Sequence, residues 1–305
     1  MASPISTLSS EATASSSVLT HYTIPLPSGL TIHIWPTPHS QPRGTIILQH
    51  GFGEYAERYV TWHHALVPAL LDHGFHVEAL DLRGHGKSGG ERGVVDVEEA
   101  VAEAVQLRLQ REVAEEAYRG AGVTGGTGKI FLMGHSLGGL VTAGSVVADS
   151  AGVTGVVLLS PVIPGPISWF VGMPADIVAR VVPGWTVPGL GSGEGGMTRD
   201  EGKRKGMEGD GGIVKKGVSF LTATSGGRVA ERVRAGMDGW RAPTLVLHGT
   251  ADKWADVAGS RGLVEGIGSV DKELVEMEGG WHELLNDMDR DEVLTQILKW
   301  LDEHV

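Results

Sequence analysis

The sequence predicts an α/β fold: a mostly parallel eight-stranded sheet with helices on both faces and a helical and loop cap insertion over one end. Three observations predict it. From residue 44 to the C-terminus, short runs rich in Val, Ile and Leu alternate with stretches whose apolar residues recur three and four apart. Several of the short runs are apolar at consecutive positions, as strands covered on both faces are. The alternation fails once, between residues 161 and 240, where no convincing sheet strand occurs.

Taken in order, "HYTIPLP" and "LTIHIWPT" are β-rich runs split by Ser28-Gly29 and read as an antiparallel hairpin at one edge. Strands follow at 44–50, 76–82, 129–135, 155–161, 244–250 and 272–278. Between them the helical period predicts helices over 59–71, 97–119, 137–148, 257–265 and 291–303. The interruption begins with "ISWFVGMPADIVARVVPGW", apolar and partly helical in period. It then becomes loose: residues 184–227 hold 14 glycines in 44 positions. The chain thus divides into a tail at 1–20, a core at 21–161, a cap insertion at 162–240 and the rest of the core at 241–305. The tail lacks the basic and apolar regions of a secretory signal and reads as disordered.

Composition excludes several function classes. The 305 residues carry a net charge of -12, without the basic stripe that a nucleic-acid partner requires. With no cysteine, disulfides, thiolate zinc sites and a thiol nucleophile are ruled out. No run of 18 apolar residues occurs, so an ordinary transmembrane helix is not expected and membrane contact is at most peripheral.

The chemistry starts at "KIFLMGHSLGGL". Gly134-His135-Ser136-Leu137-Gly138 satisfies Gly-x-Ser-x-Gly between a predicted strand and a predicted helix. So sharp a turn needs nearly side-chain-free neighbours at both ±2 positions, and it lifts the serine hydroxyl clear of the sheet. Serine is a poor nucleophile without a general base and a group to orient that base. Among 13 histidines, His282 in "GGWHELL" stands on a loop after the last strand, at the end of a parallel sheet where active sites form. Asp252 follows the preceding strand in the loop proper, whereas Asp256 is placed to cap the next helix. An oxyanion needs two aimed N–H groups. Leu137, just after the nucleophile, and Phe52, between two glycines after the 44–50 strand, are the candidates. "GVTGGTGKI" is a poor phosphate loop, since it precedes a strand and no Ser or Thr follows its lysine. "HELLN" lacks the second histidine of a zinc-protease helix, and no metal or cofactor is expected.

Together "HGFGEYAERY", "DLRGHGKSGGERG", "GHSLGG", "LSPVI", "LVLHGTADKWAD" and "GGWHELLND" resemble the monoacylglycerol lipase and lysophospholipase branch of the α/β-hydrolases, in order from about residue 22 to 304. The resemblance implies Ser136 as nucleophile, Asp252 as acid, His282 as base, and Phe52 and Leu137 as oxyanion donors, the same set reached from chemistry. It further implies that Glu54 and Arg58 organise the polar side near the alcohol group, and that Asp81, Arg83, His85, Gly86 and Ser88 form a scaffolding turn. A cap over an apolar acyl tunnel is implied as well, with Trp169, Phe170, Met173 and Ile177 as candidate walls. The activity implied is hydrolysis of monoacylglycerols or similar monoacyl lipid esters by a cytoplasmic enzyme that meets membranes or lipid droplets at most peripherally. The residues alone leave open a carboxylesterase for small or aromatic esters, or an acyltransferase. Dehalogenases and epoxide hydrolases of this fold use an aspartate where Ser136 stands. A noncatalytic interaction protein would be expected to lack a member of the set.

Overall fold

One sheet of eight strands runs through the computed structural model, which describes residues 19–123, 125, 128–166, 169–191 and 195–305, excepting the side chains of 169–171. The predicted tail lies outside the described residues except for its last two positions. In chain order the strands are β1 (Tyr22–Pro25), β2 (Thr31–Trp35), β3 (Gly44–Gln49), β4 (Phe75–Asp81), β5 (Ile130–His135), β6 (Val153–Leu159), β7 (Thr244–Gly249) and β8 (Lys272–Met277). Their spatial order is β1-β2-β4-β3-β5-β6-β7-β8. β2 alone runs opposite to the other seven strands, and every pair from β4 to β8 is parallel. All eight predicted strands form, each within two residues of its expected ends.

The helices are α1 (Arg58–Thr61), α2 (Leu66–Asp72), α3 (Val97–Leu109), α4 (Glu112–Gly120), α5 (Leu137–Ala148), α6 (Trp169–Val181), α7 (Glu201–Gly209), α8 (Phe220–Gly236), α9 (Val257–Gly266) and α10 (Arg290–Glu303). Because side chains alternate along a strand, each central strand feeds two cores. Ile46, Leu48, Met133 and Leu159 pack under α2 and α10 with Leu70, Ile297 and Trp300. Ile47, Leu132, Leu158 and Val246 pack under α3, α5, α8 and α9 with Val97, Leu140, Val229 and Leu263.

Two predicted helices prove to be broken, each by a buried charge. The stretch 59–71 splits because His63, His64 and Ala65 adopt φ of 48°, 54° and 51°, which carries the His63 ring to 2.7 Å from the Glu54 carboxylate. The stretch 97–119 splits at Gln110 and Arg111. Arg111 there makes two hydrogen bonds, 2.5 and 2.6 Å, to Glu78, which has no exposed surface on β4; Tyr118 of α4 donates to the same carboxylate. A carboxylate buried in a sheet needs such partners, and the helix bends to supply them.

Within 162–240 the only β contact among the described residues is a bridge between Thr186 and Ser219. α6 is exposed along Met173, Ile177 and Val181 (57%, 58% and 74%). α8 instead joins the core layer through Val229, Ala230 and Val233. Its close seat depends on small residues, since a Cβ on Gly144 of α5 would stand 2.9 Å from Val229. Among the described residues no helix is long and apolar enough to cross a membrane.

Candidate active site

Ser136 sits between the end of β5 and the start of α5 with φ 53° and ψ -119°. The chain can turn so sharply only because its neighbours lack side chains. A Cβ on Gly134 would come 2.5 Å from the Gly138 carbonyl, and one on Gly138 would come 2.2 Å from the Gln49 carbonyl. Oγ of Ser136 lies 2.7 Å from His282 Nε2, and His282 Nδ1 lies 2.6 Å from Asp252 Oδ2. The other oxygen of Asp252 accepts the amides of Trp254 and Ala255 at 2.7 and 3.0 Å. Burial pushes the Asp252 carboxyl up, but hydrogen bonds from His248 and His282 outweigh it and hold the group well below the usual carboxylate range. It faces His282 Nδ1 as an anion. Asp256 caps α9, accepting the Ala258 amide at 2.9 Å.

The amides of Phe52 and Leu137 donate to no partner among the described residues, and both residues line the same cavity as Ser136. The loop bearing Phe52 is held from below: Glu54 Oε1 accepts the Gly51 amide at 2.7 Å, and Asp81 Oδ1 accepts the Ala56 amide at 2.9 Å. The turn after β4 folds on Asp81. Its other oxygen accepts the Lys87 amide at 2.7 Å, and Ser88 Oγ donates to the Asp81 carbonyl. Gly86 leaves room for it, since a Cβ there would stand 2.1 Å from Asp81 Oδ2. Arg83 pairs with Glu103 at 2.8 Å, away from the serine.

Beside the serine is a buried polar cluster that the sequence only partly revealed. Oε1 of Glu54 also accepts from Tyr59 and His135, both at 2.8 Å, and Oε2 faces His63 at 2.7 Å. Burial pushes Glu54 up, yet His63 and His135 outweigh it and keep it well below the usual range. Burial likewise works against a proton on His135, and Glu54 overrides it, raising that histidine; on His63 burial prevails and lowers it. The Glu54 carboxylate is the centre of the cluster, with His63 and His135 facing its two oxygens. Arg58 is buried too. Its Nε and Nη2 make no hydrogen bond, with Asp210 3.7 Å from Nε and Glu54 3.9 Å from Nη1. Glu54, His63 and Glu283 have potential ligand atoms within 4.8 Å of one another. Glu54 and His63 are already in hydrogen-bond contact, closer than two ligands stand around an ion held at about 2 Å from each. His135, His63 and Glu283 escaped the sequence reading because only the folded chain gathers them; His135, flanking the serine, was the one visible clue.

Ser136 opens into a cavity of about 1030 Å3, at the upper end for a ligand pocket. Its walls are largely apolar, with Leu140, Ile163, Met207, Val218 and Met237 among them, while Glu54, Arg58 and Glu283 form a polar corner. Met173, an expected wall, does not line it. With Ile177 and Val181 it recurs every fourth residue on the outward face of α6. Trp169 and Phe170 belong to the backbone of α6, and their side chains lie outside the described residues.

A parallel sheet with a strained serine at its topological crest, an imidazole within reach and two unspent amides define an α/β-hydrolase, and the protein is a serine-type carboxylic ester hydrolase. A family model described as serine aminopeptidase, S33 (Hydrolase_4) matches residues 40–289, and the chain belongs to that family. It is 29% identical over 281 residues to a monoacylglycerol lipase of Mycolicibacterium smegmatis, covering 89% of this chain and 92% of that one. With the human monoglyceride lipase it shares 28% identity over 251 residues, 81% of this chain and 78% of that one. Among solved structures, a monoacylglycerol lipase of Paleococcus ferrophilus matches with a TM-score of 0.76 at 30% identity, over 90% of this chain and 99% of that one. A soluble variant of the Saccharomyces cerevisiae monoglyceride lipase shares the fold, with a TM-score of 0.75 at 21% identity over 96% of this chain and 98% of that one.

Proposed function

We propose that Ser136, His282 and Asp252 hydrolyse a monoacylglycerol or similar monoacyl lipid ester through an acyl-enzyme. The observation that carries this reading is the continuous line from Asp252 through His282 to Ser136, at the wall of a mostly apolar cavity with a polar corner. Ser136 Oγ attacks the ester carbonyl as His282 Nε2 takes its proton. Asp252 holds Nδ1–H and the imidazolium charge, and the Phe52 and Leu137 amides receive the oxyanion. His282 then protonates the leaving alcohol, and on the return half-reaction it activates water against the acyl-enzyme.

The polar corner suits the alcohol half. Glu54, Arg58 and Glu283 line that corner, and Glu54 is held in place there by the Gly51 amide, Tyr59, His135 and His63. Leu190, Met207, Val214 and Val218, all from the 162–240 insertion, cap the acyl half. The exposed row on α6, continued by Trp185, makes the insertion a peripheral lipid contact.

The test is a rate panel of p-nitrophenyl esters from short to long acyl chains, beside monoacylglycerols and diacylglycerols, with Ser136→Ala as control. Long-chain monoacyl esters are expected to be preferred, and the control to lose on the order of a million-fold in turnover. Preference for short or aromatic esters would replace the lipase reading with a general carboxylesterase. Added alcohols acylated faster than acid is released would mark an acyltransferase.

A further inference from the structure

The loop from His50 to Ala56 has to aim one amide, that of Phe52, at the oxygen developing beside Ser136. Glycines flank Phe52 on both sides, and Gly53 takes φ 85°, so the peptides around it rotate at little steric cost. The aim of the loop therefore depends on what holds it from outside. Glu54 and Asp81 take the amides of Gly51 and Ala56, each sharing its oxygens among several donors. The amide of Gly53 has a separate acceptor, His85 Nε2, at 3.0 Å.

His85 is built for that task. Its Nδ1–H donates to the Arg83 carbonyl at 2.9 Å, which selects the tautomer with a lone pair on Nε2. Its ring meets the Phe52 ring edge-on with centroids 5.3 Å apart, so one side chain touches both residues of the Phe52–Gly53 peptide. The ring has no exposed surface. Burial, with His50 adding to it, pushes its pKa down to about 4, so it stays neutral. From the opposite side, the Gly53 carbonyl accepts the Val214 amide of the insertion at 2.8 Å. Gly53 is thus gripped between the core and the cap.

We propose that His85 is a positioning residue for the oxyanion hole: by holding the Gly53 amide inward, its Nε2 keeps the Phe52 amide aimed at the oxyanion. The proposal rests on the ester-hydrolase reading of Ser136.

The full chain would be compared with His85→Asn, which keeps a donor for the Arg83 carbonyl but cannot reach Gly53, with His85→Ala, and with His85→Gln, whose amide oxygen extends to the Nε2 position. Each is assayed for kcat and KM on one p-nitrophenyl ester. Each is also assayed for inhibition by a trifluoromethyl ketone, whose serine adduct places an oxyanion in the hole, and by an n-alkanol of equal length, which does not. His85→Asn and His85→Ala are expected to lose about 10- to 100-fold in kcat, less than the roughly 100- to 1000-fold of deleting a donor, with KM within about threefold. Ketone affinity falls in parallel, alkanol affinity holds, and His85→Gln recovers most of both losses. Unchanged kcat in a folded His85→Asn or His85→Ala, or equal loss of ketone and alkanol binding, would overturn the proposal. If thermal melting shows that neither folds, His85→Gln decides alone: near-normal kcat and ketone affinity support the role, and a tenfold or greater loss in both ends it. Activity surviving in a parallel Ser136→Ala would instead refute Ser136 as the nucleophile, and with it the reading on which the proposal rests.

Discussion

Single residues divide sharply between those that announce themselves and those that do not. Ser136, Asp252 and His282 could be picked out because each occupies a loop after a strand in a telling chain order, and the folded chain brings them into hydrogen-bond contact. Glu54 and Arg58 stood out only through resemblance, and their surroundings were illegible. The partners of Glu54 include His63, delivered by three successive left-handed residues that no periodicity signals. Asp252 offers a test of orientation as distinct from reactivity. Asp252→Asn removes the anion while preserving shape, so kcat is expected to fall about 10,000-fold, as in other triads, with binding of an unreactive long-chain alcohol unchanged. Retention of even a tenth of the activity would show that another acid serves His282.

At the scale of elements, strands were the readable part because burial on both faces writes itself as consecutive Val, Ile and Leu. Helix breaks were not, since the charge that bends α4 away from α3 is Glu78, far off in sequence on β4. α8 was obscured by Gly226 and Gly227, poor helix formers that the buried face of the helix nonetheless includes. α6 is the element whose placement invites measurement. With Met173, Ile177 and Val181 outward, it is expected to bind phosphatidylcholine vesicles, and Ile177→Glu should weaken sedimentation with them by about tenfold or more, since it puts a charge into the contact. The same variant should hydrolyse a water-soluble short ester at the normal rate. Equal sedimentation of both proteins would remove α6 from the membrane contact.

For the whole molecule, buried histidines link stability to pH. Burial, with His50, holds His85 down at about 4, and burial, with His33, holds His21 at about 3, against an ordinary value of 6.5. Both regain protons on unfolding, so between pH 6.5 and about 4 the unfolded chain binds more protons than the folded one, and stability falls as pH is lowered through that window. His135, raised by Glu54, acts in the opposite sense, and its contribution is lost only as pH climbs beyond 6.5. The melting temperature is expected to drop steadily from pH 6.5 to 4, and to drop less in His85→Gln. A flat profile would mean that these rings are hydrated in solution.

The backbone of Ser136 carries a further implication. A φ of 53° with ψ of -119° is uncomfortable for any residue bearing a Cβ, at a cost of order 1–3 kcal/mol, and only glycine would rest there easily. Ser136→Gly is therefore expected to raise the melting temperature while abolishing ester hydrolysis, and a variant that loses activity without gaining stability would show that the turn is not strained.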